Sequence, residues 1–208
     1  NYWAQTNAVY RSNVNLCSMQ FTPFEGVDTV VGASAEVDLC AIYLPFDADM
    51  NLLVPFRTWR NTNTEQAARE LTALFGFNIP MRWSIAHLRQ AMLNQEDHLP
   101  KLTFLTTLAG YIHYCLTGEK VADMSIATFS FYFDIYKKAY WQEMLDAIGI
   151  SESQLPALCE PCSVAGTLTE EAAKATGMNP DARINVGTLD HFAGMIGTGN
   201  IAPGGITL

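Results

Sequence analysis

The chain has 208 residues, 49% hydrophobic and 16% charged, so it can bury a substantial core and is not composed like a disordered protein. Its 21 acidic side chains outnumber 12 basic ones, giving a formal charge of −9 whose field repels a phosphate backbone and speaks against nucleic-acid binding. The longest apolar run, LTFLTTLAGYIHYCL over 102–116, is broken by threonines, a glycine and His113; it falls short of the roughly 20 residues that span a bilayer, so no membrane association is expected.

The opening NYWAQTNAVYRSN has no basic segment leading into an apolar one, so no secretory signal is read and a cytoplasmic location is expected. DTVVGAS (28–34) and LCAIYLPF (39–46) predict strands, FDADMN (46–51) a turn, and LLVPF (52–56) a further strand. From Thr64 the period changes: TEQAARELTALFG places Ala67, Leu71, Leu74 and Phe75 on one helical face, with Thr64 as N-cap and Gly76 as the stop. Ser84 is expected to cap a second helix, IAHLRQAMLN, and a third is expected from Lys101 to Leu116, ending at Gly118.

IATFSFYF (126–133) reads as β-like, and YKKAYWQEMLDAIG (136–149) as a helix that brings Tyr140, Met144, Leu145 and Ile148 together. Ser151 and Gln154 have capping-box spacing. GTLTEEAAKATGM predicts a strand and then a helix capped by Thr169, with Glu170 and Glu171 in its favourable first turn. INVGT (184–188) is a final short strand. The mixture points to an α/β domain with a helical insertion.

The five cysteines are Cys17, Cys40, Cys115, Cys159 and Cys162, an odd number spread along the chain and unlike a secreted disulfide framework. Cys159-Glu-Pro-Cys162 has zinc-knuckle spacing but supplies two of the about four ligands a structural site needs, so reduced loop thiols are the favoured reading and no metal site is expected there. His87, His98 and His113 fall in or beside helical patterns without ligand spacing and are assigned no chemistry.

The stretch GTLDHFAGMIGTG (187–199) carries the functional signal. It sets Asp190 where a strand hands over to a glycine-rich helix, which is where α/β folds place ligands. A helix N-terminus stabilises a carboxylate and nearby anions, and Gly194, Gly197 and Gly199 allow a close approach. The residues themselves leave two readings open, an acidic helix cap or a chemical group. No G-x-S-x-G occurs, and the GTG at 197–199 is not followed by x-x-G, which speaks against a hydrolase or a dinucleotide-dependent oxidoreductase.

LTGEKVADMSIAT (116–128), LPALCEPCSVAGTLTEEAAKATGM (155–178) and INVGTLDHFAGMIGTGNIAPGG (184–205) follow one another in an order that resembles the FGGY family of carbohydrate kinases. That family shows LTG then D-x-S-x-A, LP, G-x-L-T-x-x-A-A-x-x-T-G, and G-x-x-D before a small-residue helix. YLPFDADMNLLVPFRTWRN (43–61) is similar to its strand–turn–strand leading to a tryptophan, so the resemblance covers roughly residues 40–208.

The resemblance implies a ribonuclease H-like (actin/hexokinase-like ATPase) fold with a helical insertion. Residues 1–208 would then be part of the N-terminal, sugar-binding domain, without its first hairpin and without the second domain. It implies transfer of the γ-phosphoryl of ATP to a sugar hydroxyl, with a ketopentose such as xylulose as first expectation because the LTG-to-D-x-S-x-A part looks most like xylulose kinases. Asp190 takes the place of the family's general base, His191 that of a sugar contact, and Trp59 lines the sugar cleft or packs behind it. Asp123 and Ser125 match a recurring family pattern and are read as structural; Arg57 and Arg60 either meet a phosphate or simply solvate a strand end. ATP and Mg²⁺ would be bound mainly by regions absent from this chain, such as the C-terminal ATP-binding domain, so residues 1–208 alone are expected to be inactive. A homodimer is compatible with the resemblance, and the oligomeric state stays open.

Besides lacking the family's acid–glycine–threonine phosphate loop and its ATP-binding domain, the chain departs from the pattern within the matched stretch. Where the family sets a polar substrate-contacting pair, about six residues before the acid at Asp47, stand Cys40 and Ala41. The alternative is therefore a catalytically silent protein that keeps the fold for sugar binding or assembly.

Overall fold

The computed structural model describes residues 29–31, 41–200 and 202–205. The N-terminal stretch read for a signal, Cys17, Cys40 and the end of the first expected strand lie outside the described residues.

Strand β1 (Thr29–Val31) is followed by β2 (Ala41–Phe46), in which Tyr43, Leu44 and Phe46 are buried. Asp47 then turns the chain, its Oδ1 accepting from the backbone N–H of Asp49 at 3.0 Å and of Asn51 at 2.8 Å. The strand expected over 52–56 is not formed as such. It is reduced to a bridge between Phe46 and Leu52 and to β3 (Arg57–Thr58), which pairs antiparallel with β2. Pro55 has no N–H for a ladder, and Leu52 and Phe56 are exposed, so neither bonding nor burial extends the hairpin.

Helix α1 (Glu65–Phe75) stops on Gly76, whose φ of +76° and N–H to the Thr72 carbonyl make the expected glycine cap. Thr64 stands at the N-cap position as expected, but its side chain makes no cap hydrogen bond: its hydroxyl donates to the Met81 carbonyl instead. The buried stripe is Ala67, Ala68 and Leu71, while Leu74 is 65% exposed. Helix α2 (Ser84–Leu93) begins at Ser84 itself, with Trp83 as N-cap; the Ser84 hydroxyl pairs with that of Tyr132 at 3.0 Å rather than capping.

The single helix expected over 101–116 is three elements. Leu99–Lys101 is a 3₁₀ turn, Phe104–Thr106 is strand β4, and α3 (Leu108–Thr117) starts after Thr107, whose Oγ1 accepts from Gly110 N–H at 3.5 Å. All three residues of β4 are buried, and a short buried strand shows no alternation to distinguish it from helix. The termination at Gly118 is as expected.

Strand β5 (Val121–Asp123) leads into α4 (Met124–Ser130), where β structure was expected. Asp123 Oδ1 accepts from the N–H groups of Ser125 at 2.8 Å and Ile126 at 3.2 Å, an N-cap that overrides the strand preference of the aromatic and branched residues behind it. A hairpin of β6 (Phe133–Asp134) and β7 (Ala139–Tyr140) delays the next helix, α5, to Gln142–Ile148. Tyr140, Met144, Leu145 and Ile148 are nonetheless buried together. The Ser151/Gln154 capping box is present, on a 3₁₀ turn over Glu152–Gln154.

Strands β8 (Ala157–Cys159) and β9 (Val164–Thr167) precede α6 (Glu170–Thr176), which Thr169 caps by accepting from Ala172 N–H at 3.1 Å. Strand β10 (Arg183–Asn185) and helix α7 (Asp190–Gly197) follow. Strand β10 lies between β1, to which it is parallel, and the antiparallel β9. A second sheet has the order β3-β2-β4, and β5 runs parallel to β8. The main core joins Tyr43, Leu71, Ile85, Leu105 and Met144, drawn from both strands and helices. Among the described residues no helix is long and apolar enough to cross a membrane.

Candidate active site at the head of the last helix

Asp190 is the first residue of α7, and His191 the second. The cap position belongs to Leu189, in extended backbone (φ −58°, ψ 142°) and without a side-chain cap of its own, so Asp190 is not the helix cap. Its backbone stands at the carboxyl end of β10, in the first turn of a helix, where unpaired N–H groups favour negative charge.

The connection from β10 to α7 is held at every residue. Gly187 takes φ +73° and donates its N–H to Asn185 Oδ1 at 2.7 Å; Asn185 Nδ2 in turn donates to the Cys162 carbonyl at 2.6 Å. Cys162 N–H reaches the Gly187 carbonyl at 2.8 Å, and Val186 N–H the Ser163 carbonyl at 2.9 Å. The last two residues before Asp190 are held from α4. Leu189 N–H donates to Ser125 Oγ at 2.8 Å, and the Thr188 hydroxyl lies 3.1 Å from the same oxygen. Ser125 Oγ in turn donates to Asp123 Oδ1.

Asp123 is fully buried, and among the described residues its Oδ2 has no hydrogen-bond partner. Burial disfavours its charged form and pushes its pKa up to about 6, against the opposing pull of its hydrogen bonds from Ser125 and Ile126. The expectation that Asp123 and Ser125 are structural is met in part: Asp123 caps α4. The link from Ser125 to residues 188 and 189 was not visible in the sequence, because it joins positions 63 and 64 residues apart.

Trp59, half-buried just after β3, lies among cations, with the guanidinium of Arg60 5.7 Å and that of Arg82 5.4 Å from its ring centroid. Arg57 does not simply solvate a strand end: it pairs with Glu96 and lies 5.0 Å over the Tyr43 ring. Ala41 opens β2, opposite Thr58. The three histidines are buried. His98 Nε2 bonds the Tyr43 hydroxyl at 2.7 Å, a contact 55 residues apart that the sequence did not signal.

Among the described residues no three His, Cys, Asp or Glu side chains are grouped to hold a metal ion. A cavity of about 30 Å³ lined by Ser84, Thr106, Thr107, Ala127 and Tyr132 has room for about one water and none for a sugar.

Residues 42–197 match the FGGY family of carbohydrate kinases, N-terminal domain. The xylulose kinase of Escherichia coli (strain K12) is 36% identical over 170 residues, 74% of this chain and 33% of that protein. The xylulose kinase of Klebsiella pneumoniae is 33% identical over 138 residues, 64% of this chain and 27% of that protein. In solved structures, the xylulose kinase from Rhodospirillum rubrum aligns with a TM-score of 0.72 at 23% identity, covering 78% of this chain and 35% of that one. The gluconate kinase from Lactobacillus acidophilus aligns with a TM-score of 0.71 at 21% identity, covering 81% and 36%. At such identities the structures speak for the fold alone, the ribonuclease H-like fold of actin/hexokinase-like ATPases. The chain spans about a third of the length of these relatives. With a match over three quarters of its length, arriving at Gly197 with α7 itself, the chain belongs to the FGGY family of carbohydrate kinases.

Proposed function

We propose that the protein carrying this chain is an ATP-dependent carbohydrate kinase acting on a ketopentose such as xylulose, that residues 1–208 form part of its sugar-binding domain, and that Asp190 is its general base. The observation that carries the reading is the bracing of the β10–α7 junction, in which Leu189, directly before Asp190, is held to Ser125, in a family of carbohydrate kinases. Relatives that are 33% and 36% identical are xylulose kinases, which supports the choice of sugar.

In this reaction the attacking sugar hydroxyl forms a bond to the γ-phosphorus as the bond to the bridging oxygen of ADP breaks. The hydroxyl proton passes to the Asp190 carboxylate. Phosphoryl transfer asks mainly for positioning and charge neutralisation, so a base held at a fixed helix start meets its first demand. His191 and Trp59 contact the sugar in this reading. ATP and Mg²⁺ are held mainly by a C-terminal domain that meets the face of α7. That face is open: Phe192 and Ile196 are 44% and 48% exposed, and a Cβ added at Gly194 or Gly197 would have no neighbour within 4 Å.

The test is Asp190→Asn in the full gene product, assayed with ATP over a panel of ketoses and polyols. The variant should keep its circular dichroism and unfolding midpoint and lose roughly 100-fold or more in kcat, the range of general-base contributions. Wild-type turnover would refute the role of Asp190, and a preference for a sugar outside the ketopentoses would refute the substrate.

A further inference from the structure

We infer that Ser125 is a positioning residue for Asp190, its hydroxyl serving as a fixed acceptor that sets where the last helix begins. The inference rests on the reading of Asp190 as the base.

A serine hydroxyl has one proton to give and two lone pairs. At Ser125 all three are used. The proton goes to Asp123 Oδ1, a carboxylate oxygen that can only accept when ionised, so Ser125 Oγ is left to face the loop as an acceptor. Its lone pairs meet Leu189 N–H at 2.8 Å and the Thr188 hydroxyl at 3.1 Å, the two residues directly before Asp190.

The way α7 starts differs from the other capped helices. Helices α3, α4 and α6 are each capped by the side chain of the residue before them, Thr107, Asp123 and Thr169. Leu189 has no side chain to do so, and the first orphan donor of α7 is satisfied by Ser125 from another helix. A cap for α4 alone needs no carboxyl: a serine or threonine would serve without leaving a second polar atom buried and unpartnered, as Oδ2 of Asp123 is. Asp123 also sits opposite Cys159 in the β5–β8 pairing, so the brace stands on a strand pair rather than on a loop.

The test uses Ser125→Ala in the full gene product, with kcat and the KM values for xylulose and ATP measured separately. The expected result is a fall in kcat of roughly 10- to 100-fold with both KM values within about 3-fold of wild type, because a displaced base lowers the rate of the step without removing substrate contacts. Ser125→Thr, which keeps the hydroxyl, should restore most of kcat. Leu189→Pro removes the N–H partner instead, at a φ of −58° that proline accepts, and should reproduce the kcat loss; it carries the test should Ser125→Ala not fold. In an Asp190→Asn background, Ser125→Ala should lower the residual rate no further, since there is no base left to position.

Wild-type kcat in Ser125→Ala or Leu189→Pro overturns the inference. So does a loss of equal size with and without Asp190, which would mark a general distortion of the domain. If Asp190→Asn itself turns over at the wild-type rate, the reading of the base has failed, and that outcome is visible without reference to Ser125.

Discussion

His87→Leu should stabilise the protein in a way that depends on pH. His87 lies on α2 with 0% exposure, neither ring nitrogen has a partner among the described residues, and its ring centroid is 6.4 Å from that of Tyr43. Burial disfavours the imidazolium, helped by the Arg57 guanidinium, and lowers the pKa from 6.5 to about 4. A histidine depressed in the folded state contributes stability that is present above its unfolded value and is lost as pH falls through 6.5 toward 4. At about 1.4 kcal/mol for each pH unit between those two values, the loss at pH 5 is about 2 kcal/mol and the full loss about 3. Leucine removes the titration and two buried unpaired nitrogens, each of which costs on the order of 1–3 kcal/mol. The variant should therefore match or exceed the parent at pH 7.5, and its advantage should widen by about 2 kcal/mol at pH 5. Urea midpoints followed by tryptophan fluorescence measure this, since Trp83 and Trp141 pack on the same core. The buried His113 titrates in both proteins and cancels in the difference. An advantage equal at the two pH values, or a variant less stable at pH 7.5, would refute the picture of a neutral, unpartnered imidazole.

Gly110→Ala should destabilise by about 1–3 kcal/mol, the usual cost of overpacking. Its Cβ would stand 2.1 Å from Thr106 Oγ1 and 3.4 Å from the Val121 carbonyl oxygen, and an unchanged urea midpoint would show that Thr106 gives way freely. Thr169→Ala removes the acceptor for Ala172 N–H and should cost about 1 kcal/mol, while Thr169→Ser should stay within a few tenths. Faster amide exchange in the first turn of α6 for the alanine variant alone is the local readout.

Elements whose ends are set by neighbouring residues were legible. Gly76 and Gly118 take positive φ at the helix ends where stops were expected, and Thr169 and the Ser151/Gln154 pair cap where their spacing says. Two misreadings have definite causes. The run through Phe104, Leu105 and Thr106 is buried on both sides, so its period is silent, and only pairing with Leu44, Pro45 and Phe46 makes it a strand. In 126–133 the aromatic content reads as β, but Asp123 two residues before Ser125 was the stronger signal, and weighing the cap above propensity would have found α4. The position of Asp190 was legible because a strand-to-helix junction is local. Its brace was not, because Ser125 and Leu189 meet only when β5 and β10 are both in place.

That difference bears on how the candidate site is built. A local cap stabilises only the helix it begins, so its loss unravels one turn. The Asp123 carboxyl starts α4 through Ser125 N–H and Ile126 N–H, and through the Ser125 hydroxyl it also fixes the start of α7. Two helix origins thus share one buried oxygen, Oδ1, and a shift of either helix strains hydrogen bonds that the other also uses. Helix α4 contacts α2 and the β6–β7 hairpin region, whose Tyr132 bonds Ser84 in the core. Substitutions in that region, remote in sequence from Asp190, therefore act on α4 through packing, and through α4 on the helix that carries Asp190. The buried, half-satisfied carboxyl costs stability at neutral pH, and what it supplies in return is a common reference point for the two helices.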